Sequence, residues 1–268
     1  MSDTRPVVAF GEPSRGDTTD DFGRRLIRFA GVVNFRDLGG YRAHSGRRTR
    51  WGRVFRSDAL YRLTPSDRVV YDQLGIVAVY DLRSNDERER HPNPMPSRQV
   101  ALESQVPRDE FNDGSALRSA ADAESRLRDV YLAILATAGP LFGELYSGLA
   151  DQARLPAVFH CAGGKDRTGL AAALLLSWLG VDRAAVLDDY ELTGRTLTVE
   201  RHQEILARFI ATGMSQEAAL GLLAAPRWVM ATALEAVDAE YGGVEAYLRG
   251  PAALAPQSLQ ALRDLLLD

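Results

Sequence analysis

The sequence predicts an α/β fold: a short, mostly parallel central sheet flanked by helices, leading into a helical C-terminal half. Three stretches carry that prediction. Residues 76–80 are a continuous apolar run, the pattern of a strand covered on both faces within a parallel sheet. Residues 155–159 read as a second buried strand, and the apolar run 170–179 after a glycine-rich turn reads as a helix ended by Gly180. Beyond Gly180 the pattern is helical almost throughout, over about 183–193, 198–212, 215–223, 227–240 and 256–267.

In chain order, residues 1–25 form a polar N-terminal arm, followed by one domain over 26–268. Residues 31–40 read as a strand entering a tight turn stabilised by Asn34, Asp37, Gly39 and Gly40, with Arg36 and Asp37 buttressing a site rather than reacting. Residues 54–57 are a further short strand. Thr64-Pro65-Ser66-Asp67 starts a helix that closes at Gly75: Thr caps, Pro occupies the first helical position, and Asp67 is a weaker partner than Glu or Gln. Asp81-Leu82-Arg83-Ser84 then lies at the carboxyl end of the strand over 76–80, where ligands gather in open α/β sheets. The charged stretch 85–90 reads as a solvated helical turn, and the proline-rich stretch 91–96 as an extended connection. Residues 104–125 lack a period and read as a loop near the site, before helices over 126–137 and 140–153.

Composition narrows the function. The chain has 268 residues, 46% hydrophobic and 25% charged, enough for a substantial core and ordinary for a globular protein. A net charge of −4 argues against non-specific nucleic-acid binding and against a polybasic membrane footprint. The longest apolar run, 170–176, is far short of the roughly 20 residues of a bilayer span, so no integral membrane association is expected. A single cysteine excludes an intramolecular disulfide, and His44, His91, His160 and His202 lack metal-ligand spacing, so neither metal nor cofactor is expected. The apolar run 7–10 is too short for a signal-peptide core, which favours a cytoplasmic location.

The chemistry concentrates in His160-Cys161-Ala162-Gly163-Gly164-Lys165-Asp166-Arg167-Thr168-Gly169. This window holds the only cysteine and the only lysine of a chain whose other long cationic side chains are 31 arginines. Five residues between Cys161 and Arg167 suffice to wrap one tetrahedral anion with backbone N–H groups. Gly163 and Gly164 permit positive φ and a close backbone approach. The helix starting near Arg167 or Thr168 adds its positive end, and Arg167 a planar fork for two phosphate oxygens. A thiol beneath that field is activated as a thiolate, with Thr168 placed to donate a hydroxyl hydrogen bond to it.

Cys-x5-Arg-Thr-Gly preceded by His resembles the signature of cysteine-dependent protein tyrosine phosphatases. The fuller form, with Lys165 and Asp166, resembles their atypical bacterial branch and the related bacterial lipid phosphatases. Asn34-Phe35-Arg36-Asp37-Leu38-Gly39-Gly40, Asp81-Leu82-Arg83-Ser84 and Tyr241-Gly242-Gly243-Val244-Glu245-Ala246-Tyr247-Leu248 extend the likeness over most of the chain. The resemblance implies a tyrosine-phosphatase-like fold, a two-helix lid over 198–224 where the pattern alone allows plain scaffold, and export without a cleavable signal as an open alternative.

It also implies phosphomonoester hydrolysis through a phosphocysteine on Cys161, with Arg167 and the loop amides of residues 162–165 holding the phosphate and inorganic phosphate released. Substrates would be phosphotyrosine proteins, with phosphoserine, phosphothreonine or phosphoinositides beside them. The usual Trp-Pro-Asp acid is missing, since none of Trp51, Trp178 and Trp228 precedes Pro-Asp. Asp166, to which the resembled branch assigns the acid role, and Asp81 remain as candidates. Arg167 opposes protonation of Asp166, whereas a bound phosphate dianion favours it. Lys165 is superfluous for one phosphate and suits a substrate with several. Two other classes stay open: a sulfurtransferase with a loop cysteine, and a non-catalytic phosphate-binding module.

Overall fold

The computed structural model describes residues 21–94, 98–101, 116–196 and 203–268. Of the N-terminal arm only a short helix, α1 (Asp21–Arg25), falls within them, and the expected loop over 104–125 is described only from residue 116. The first half alternates strands and helices: β1 (Arg36–Asp37), β2 (Val54–Ser57), α2 (Pro65–Gln73), β3 (Ala78–Asp81), α3 (Asn85–Arg90) and β4 (Arg98–Ala101). Two helices follow, α4 (Ala120–Thr137) and α5 (Gly139–Leu149), then β5 (Ala157–His160) and α6 (Asp166–Trp178). The rest is helical: α7 (Arg183–Thr196), α8 (Gln203–Ala211), α9 (Gln216–Leu223), α10 (Arg227–Tyr241), α11 (Val244–Arg249) and α12 (Pro256–Leu266).

The sheet runs β1-β2-β5-β3-β4, with β2, β5, β3 and β4 parallel and β1 antiparallel at the edge. Its central strands alternate strictly between two cores. Val54, Ala78, Tyr80, Ala157 and Phe159 face the large core built with α4 to α7 and α10 to α12. Phe55, Val79 and Val158 face a smaller one with Phe29, Phe35, Leu60, Tyr71 and Ile76. Burial on both faces is why these strands read as unbroken apolar runs. From Thr168 to Leu176 every residue of α6 is buried, so it is the helix at the centre of the large core. Among the described residues no single helix is long and apolar enough to cross a membrane.

Several expected boundaries move, each for an identifiable reason. The strand expected over 31–40 shrinks to two residues because side chains take its backbone donors. Asp58 accepts from the N–H groups of Val33 and Asn34, at 3.1 and 2.9 Å, and Asp67 from those of Ala30 and Gly31, at 2.7 and 2.9 Å. Asp67 also completes the capping box of α2 with Thr64, so the shorter acid suffices. Helix α4 begins six residues before the expected 126, since Ser119 and Asp122 form a capping box ahead of the first apolar turn. Neither β4 nor α11 is anticipated by the apolar pattern.

Between β1, β2 and α7 lies a buried ionic hub. Asp189 accepts from Arg36 Nε at 2.9 Å, Arg56 Nη1 at 2.5 Å and the Tyr41 hydroxyl at 2.9 Å. Both arginines are fully buried and Asp189 is 2% exposed. Against the penalty of burial, which acts to raise it, the two guanidiniums hold the Asp189 carboxyl well below the ordinary carboxylate range. Burial, with Arg36 beside it, pushes Arg56 down to about 10. Asp189→Ala removes the only anion of the hub and leaves two facing buried cations, so it is expected to cost about 3–5 kcal/mol of unfolding free energy in urea titrations.

Asp58 behaves in the opposite sense. Burial pushes its carboxyl up to about 6 from an ordinary 3.8, despite the N–H groups of Asn34 and Val33 and the charge of Arg62. The folded chain therefore keeps a proton that the unfolded chain has lost. The resulting stabilisation is full below pH 4 and disappears as pH rises through about 6. Asp58→Asn is expected to remove up to about 3 kcal/mol of the fall in stability between pH 4 and pH 7.5, measured by urea unfolding at both values.

Candidate active site

Cys161 is the first residue beyond β5 and is 1% exposed. The chain wraps from it through 162–165 and enters α6 at Asp166, one residue earlier than the sequence suggests. What shapes the wrap is the fate of its carbonyls. Ala162 O accepts from Ala59 N at 3.1 Å. Gly163 O accepts from Asn34 Nδ2 at 3.3 Å, and Gly164 O from Asn34 Nδ2 at 3.0 Å and Arg56 Nη2 at 2.8 Å. A trans peptide points its N–H opposite to its C=O, so these outward carbonyls turn the N–H groups of Gly163, Gly164 and Lys165 inward. Lys165 at the N-cap makes no side-chain cap, leaving the first-turn donors of α6 to an anion as well. Asn34 is itself held by Arg36 Nη1 and by Thr196 Oγ1, which both donate to its Oδ1. The ionic hub thus grips the loop through Arg56 directly and through Arg36 and Asn34 indirectly.

Of the two glycines only Gly164 needs to be one. It sits at φ +64°, and a Cβ there would lie 2.5 Å from Ser57 O and 2.6 Å from Asp58 N. Gly163 has open space around it and does not use positive φ.

Beneath the loop, His160 is fully buried. Asn93 Nδ2, a donor, lies 2.9 Å from its Nε2, so Nδ1 carries the proton and donates to the Cys161 carbonyl at 3.1 Å. Burial pulls His160 below its ordinary value and keeps it neutral, although Asp81 pulls the other way. Thr168 is buried, and its hydroxyl has no hydrogen-bond partner among the described residues.

Arg167 is clamped from outside by Glu87, at 2.8 Å through Nη1 and 3.1 Å through Nη2, and also donates to Leu82 O. Burial opposes its charge, but Cys161 and Glu87 hold it above its ordinary value. Glu87 is depressed to about 2: burial acts to raise it, and the bonds from Arg167 win. Glu87 is also the capping-box residue of α3, accepting from Ser84 N at 2.8 Å. The charged turn expected at 85–90 is therefore only partly solvated.

Asp81, the alternative acid, is 2% exposed and fully occupied. Arg83 reaches it with Nε at 2.9 Å and Nη2 at 2.7 Å, and Asn93 with Nδ2 at 3.0 Å. Burial tends to raise it, yet the charge and hydrogen bonds of Arg83 hold it below the ordinary carboxylate range. Asp166 is more open, with its side chain 30% exposed, and its Oδ1 accepts from the Tyr131 hydroxyl at 3.0 Å. Lys165 is buried. Its ammonium donates to Leu222 O and to Ala224 O, the latter at 3.1 Å, and lies 3.3 Å from Asp166 Oδ1. No group of three or more His, Cys, Asp or Glu among the described residues could hold a metal ion.

The structure thus brings Cys161, Lys165, Asp166, Arg167 and Thr168 together with 162–164 around one loop. It sets Asp81 and the turn residue Asn34 behind them, and it adds Arg56, Glu87, Tyr131 and Asp189. Of these additions, only Glu87 left a local signal, its capping-box spacing to Ser84.

Residues 27–268 match the tyrosine phosphatase family. A protein named as a tyrosine-protein phosphatase in Cupriavidus necator is 30% identical over 243 residues, spanning 85% of this chain and 84% of its own length. The triple specificity protein phosphatase PtpB of Mycobacterium tuberculosis is 29% identical over 275 residues, spanning 88% of this chain and 97% of its own. The crystal structure of TpbA from P. aeruginosa aligns with 65% of this chain and 88% of its own at 17% identity. Its TM-score against this chain is 0.31. With a match that runs from residue 27 to the last residue, the chain belongs to the tyrosine phosphatase family.

Proposed function

We propose that this phosphatase hydrolyses phosphomonoesters through a phosphocysteine on Cys161, acting on phosphotyrosine proteins and also on phosphoinositides. The observation that carries the reading is the loop over 162–164, whose three carbonyls are bonded outward above a buried thiol and beside an arginine clamped by Glu87. The Cys161 thiolate attacks phosphorus and the ester P–O bond breaks. Arg167 and the inward N–H groups take up the charge of the equatorial oxygens. The leaving oxygen receives its proton from Asp166. Water then attacks the phosphocysteine, its proton passes to the Asp166 carboxylate, the P–S bond breaks, and inorganic phosphate leaves. The unpartnered hydroxyl of Thr168 supports its role as donor to the thiolate.

The contacts around the two carboxylates favour Asp166 as the acid. Asp81 is saturated by Arg83 and Asn93, and its environment stabilises the charged form, so its part is to hold Arg83 and, through Asn93, the ring of His160. A purely binding module would need neither a buried thiol nor a carboxyl at this position. Cys161→Ser is expected to abolish turnover of an aryl phosphate while keeping inorganic phosphate binding, measured by steady-state rates and calorimetry. The same variant serves as the blank for a panel of phosphotyrosine, phosphoserine and phosphothreonine peptides and phosphoinositides. Persistent turnover would overturn the thiolate mechanism.

Lys165 points toward multiply phosphorylated substrates, since one phosphate is already served by Arg167 and the loop. The lid read over 198–224 lies outside the described residues at 198–202; for its described part, the hold of Lys165 on the end of α9 supports the reading, because it ties that helix end to the loop. To meet a second phosphate the ammonium must exchange the carbonyls of Leu222 and Ala224 for it. Lys165→Ala is expected to lower kcat/KM for a phosphoinositide about tenfold more than for an aryl phosphate. Equal losses on both substrates would leave the lysine a purely structural tie.

A further inference from the structure

We propose that Tyr131, backed by Tyr190, is the positioning residue of the acid, fixing which oxygen of Asp166 carries the transferable proton; this rests on the reading of Asp166 as the acid. The two hydroxyls lie 2.8 Å apart, and Tyr131 lies 3.0 Å from Asp166 Oδ1. Proton counting orders the chain. An Asp166 carboxylate accepts only, so Tyr131 spends its one hydrogen on Oδ1 and must accept from Tyr190. The run Tyr190 to Tyr131 to Asp166 is thus a directed chain of donors, in which each bond polarises the next.

The surroundings keep it directed. Both rings are buried, and burial raises both hydroxyls above their ordinary value, with the charge of Asp166 adding to it, so both remain protonated donors. The Tyr190 ring packs against α6 at Gly169, where a Cβ would come within 3.2 Å of it. The glycine that closes the Arg-Thr-Gly sequence therefore leaves the place in which the ring sits. Lys165 also approaches the Oδ1 side, at 3.3 Å. With both contacts on Oδ1, the proton given to the leaving group resides on Oδ2. An aspartate in the first turn of a helix can otherwise fold back onto its own backbone donors, and Tyr131 holds it away from that alternative.

The test is a leaving-group comparison. A dinitrophenolate leaves without a proton, whereas a phenolate needs one. In Tyr131→Phe, kcat/KM, which reports the steps up to loss of the leaving group and not the hydrolysis of the shared phosphocysteine, is expected to fall about tenfold for phenyl phosphate and less than about twofold for dinitrophenyl phosphate. The affinity for inorganic phosphate should change little. Tyr190→Phe is expected to show the same selective loss at smaller size. Asp166→Asn is the reference, with a loss in kcat/KM of about 10²- to 10⁴-fold confined to phenyl phosphate; the variants are all compared by kcat/KM. If Asp166→Asn slows both substrates alike, the acid assignment falls and takes this inference with it. If it is selective but Tyr131→Phe slows both alike or neither, only the inference on Tyr131 falls. Should circular dichroism show Tyr131→Phe unfolded, Tyr190→Phe decides: a selective loss supports the chain, and a uniform or absent one overturns it.

Discussion

The Asp189 carboxylate, shared between Arg36 and Arg56 in the interior, is the interaction on which the site depends. Two guanidiniums without it would be buried like charges facing one another, a state the fold could not carry at ordinary stability. With it, each arginine has one edge neutralised and another free to work. Arg56 spends its free edge on Gly164 O, and Arg36 on Asn34, which reaches Gly163 O and Gly164 O. The direction of two peptide groups in the loop is thereby set from behind, by residues that no anion touches. Preorganised donors of this kind favour developing charge because they need not reorient during the reaction.

Glu87 does for Arg167 what Asp189 does for Arg36 and Arg56. It occupies both terminal nitrogens from outside while belonging to the cap of α3. An arginine left free there would sample many rotamers; one tied at two points presents a fixed face toward the loop. The site is thus built twice on one device, a carboxylate spent on orienting a guanidinium rather than on chemistry. Asp81 repeats it with Arg83. Asp166 departs from the device: its partners among the described residues are the Tyr131 hydroxyl and the Lys165 ammonium, with no arginine among them.

How much of this could be read from the sequence follows from the range of the interactions. The strands over 54–57, 76–80 and 155–159 and the helix after the loop were legible because apolar periodicity is local, and the loop because its glycines, cysteine and arginine fall within one window. The antiparallel edge strand was overestimated because Asp58 and Asp67, distant in sequence, take the backbone donors that a ladder would use. Asp189, Arg56 and Tyr131 could not be found this way. Each is an ordinary residue on an ordinary element, and its partner lies from 35 to 153 positions away. Neighbouring positions of α7, Asp189 and Tyr190, serve two different parts of the site, the loop wall and the tyrosine pair at the Asp166 carboxylate, and nothing in a helical pattern distinguishes such a pair.

The lone lysine can now be given a physical reason. An ammonium has three hydrogens and no acceptor, and around Lys165 stand three acceptors, the carbonyls of Leu222 and Ala224 and the Asp166 carboxylate. A compact tetrahedral donor satisfies all three in a buried position. A guanidinium is planar and carries five donors, so it would bury hydrogens with no partner. In a chain that otherwise uses arginine throughout, this site is the one that selects against it. The same count explains why the lysine cannot at once hold the end of α9 and a substrate phosphate. Its donors are fully committed, and any phosphate that recruits them must loosen α9 from the loop, which makes binding of a second phosphate and displacement of that helix a single event.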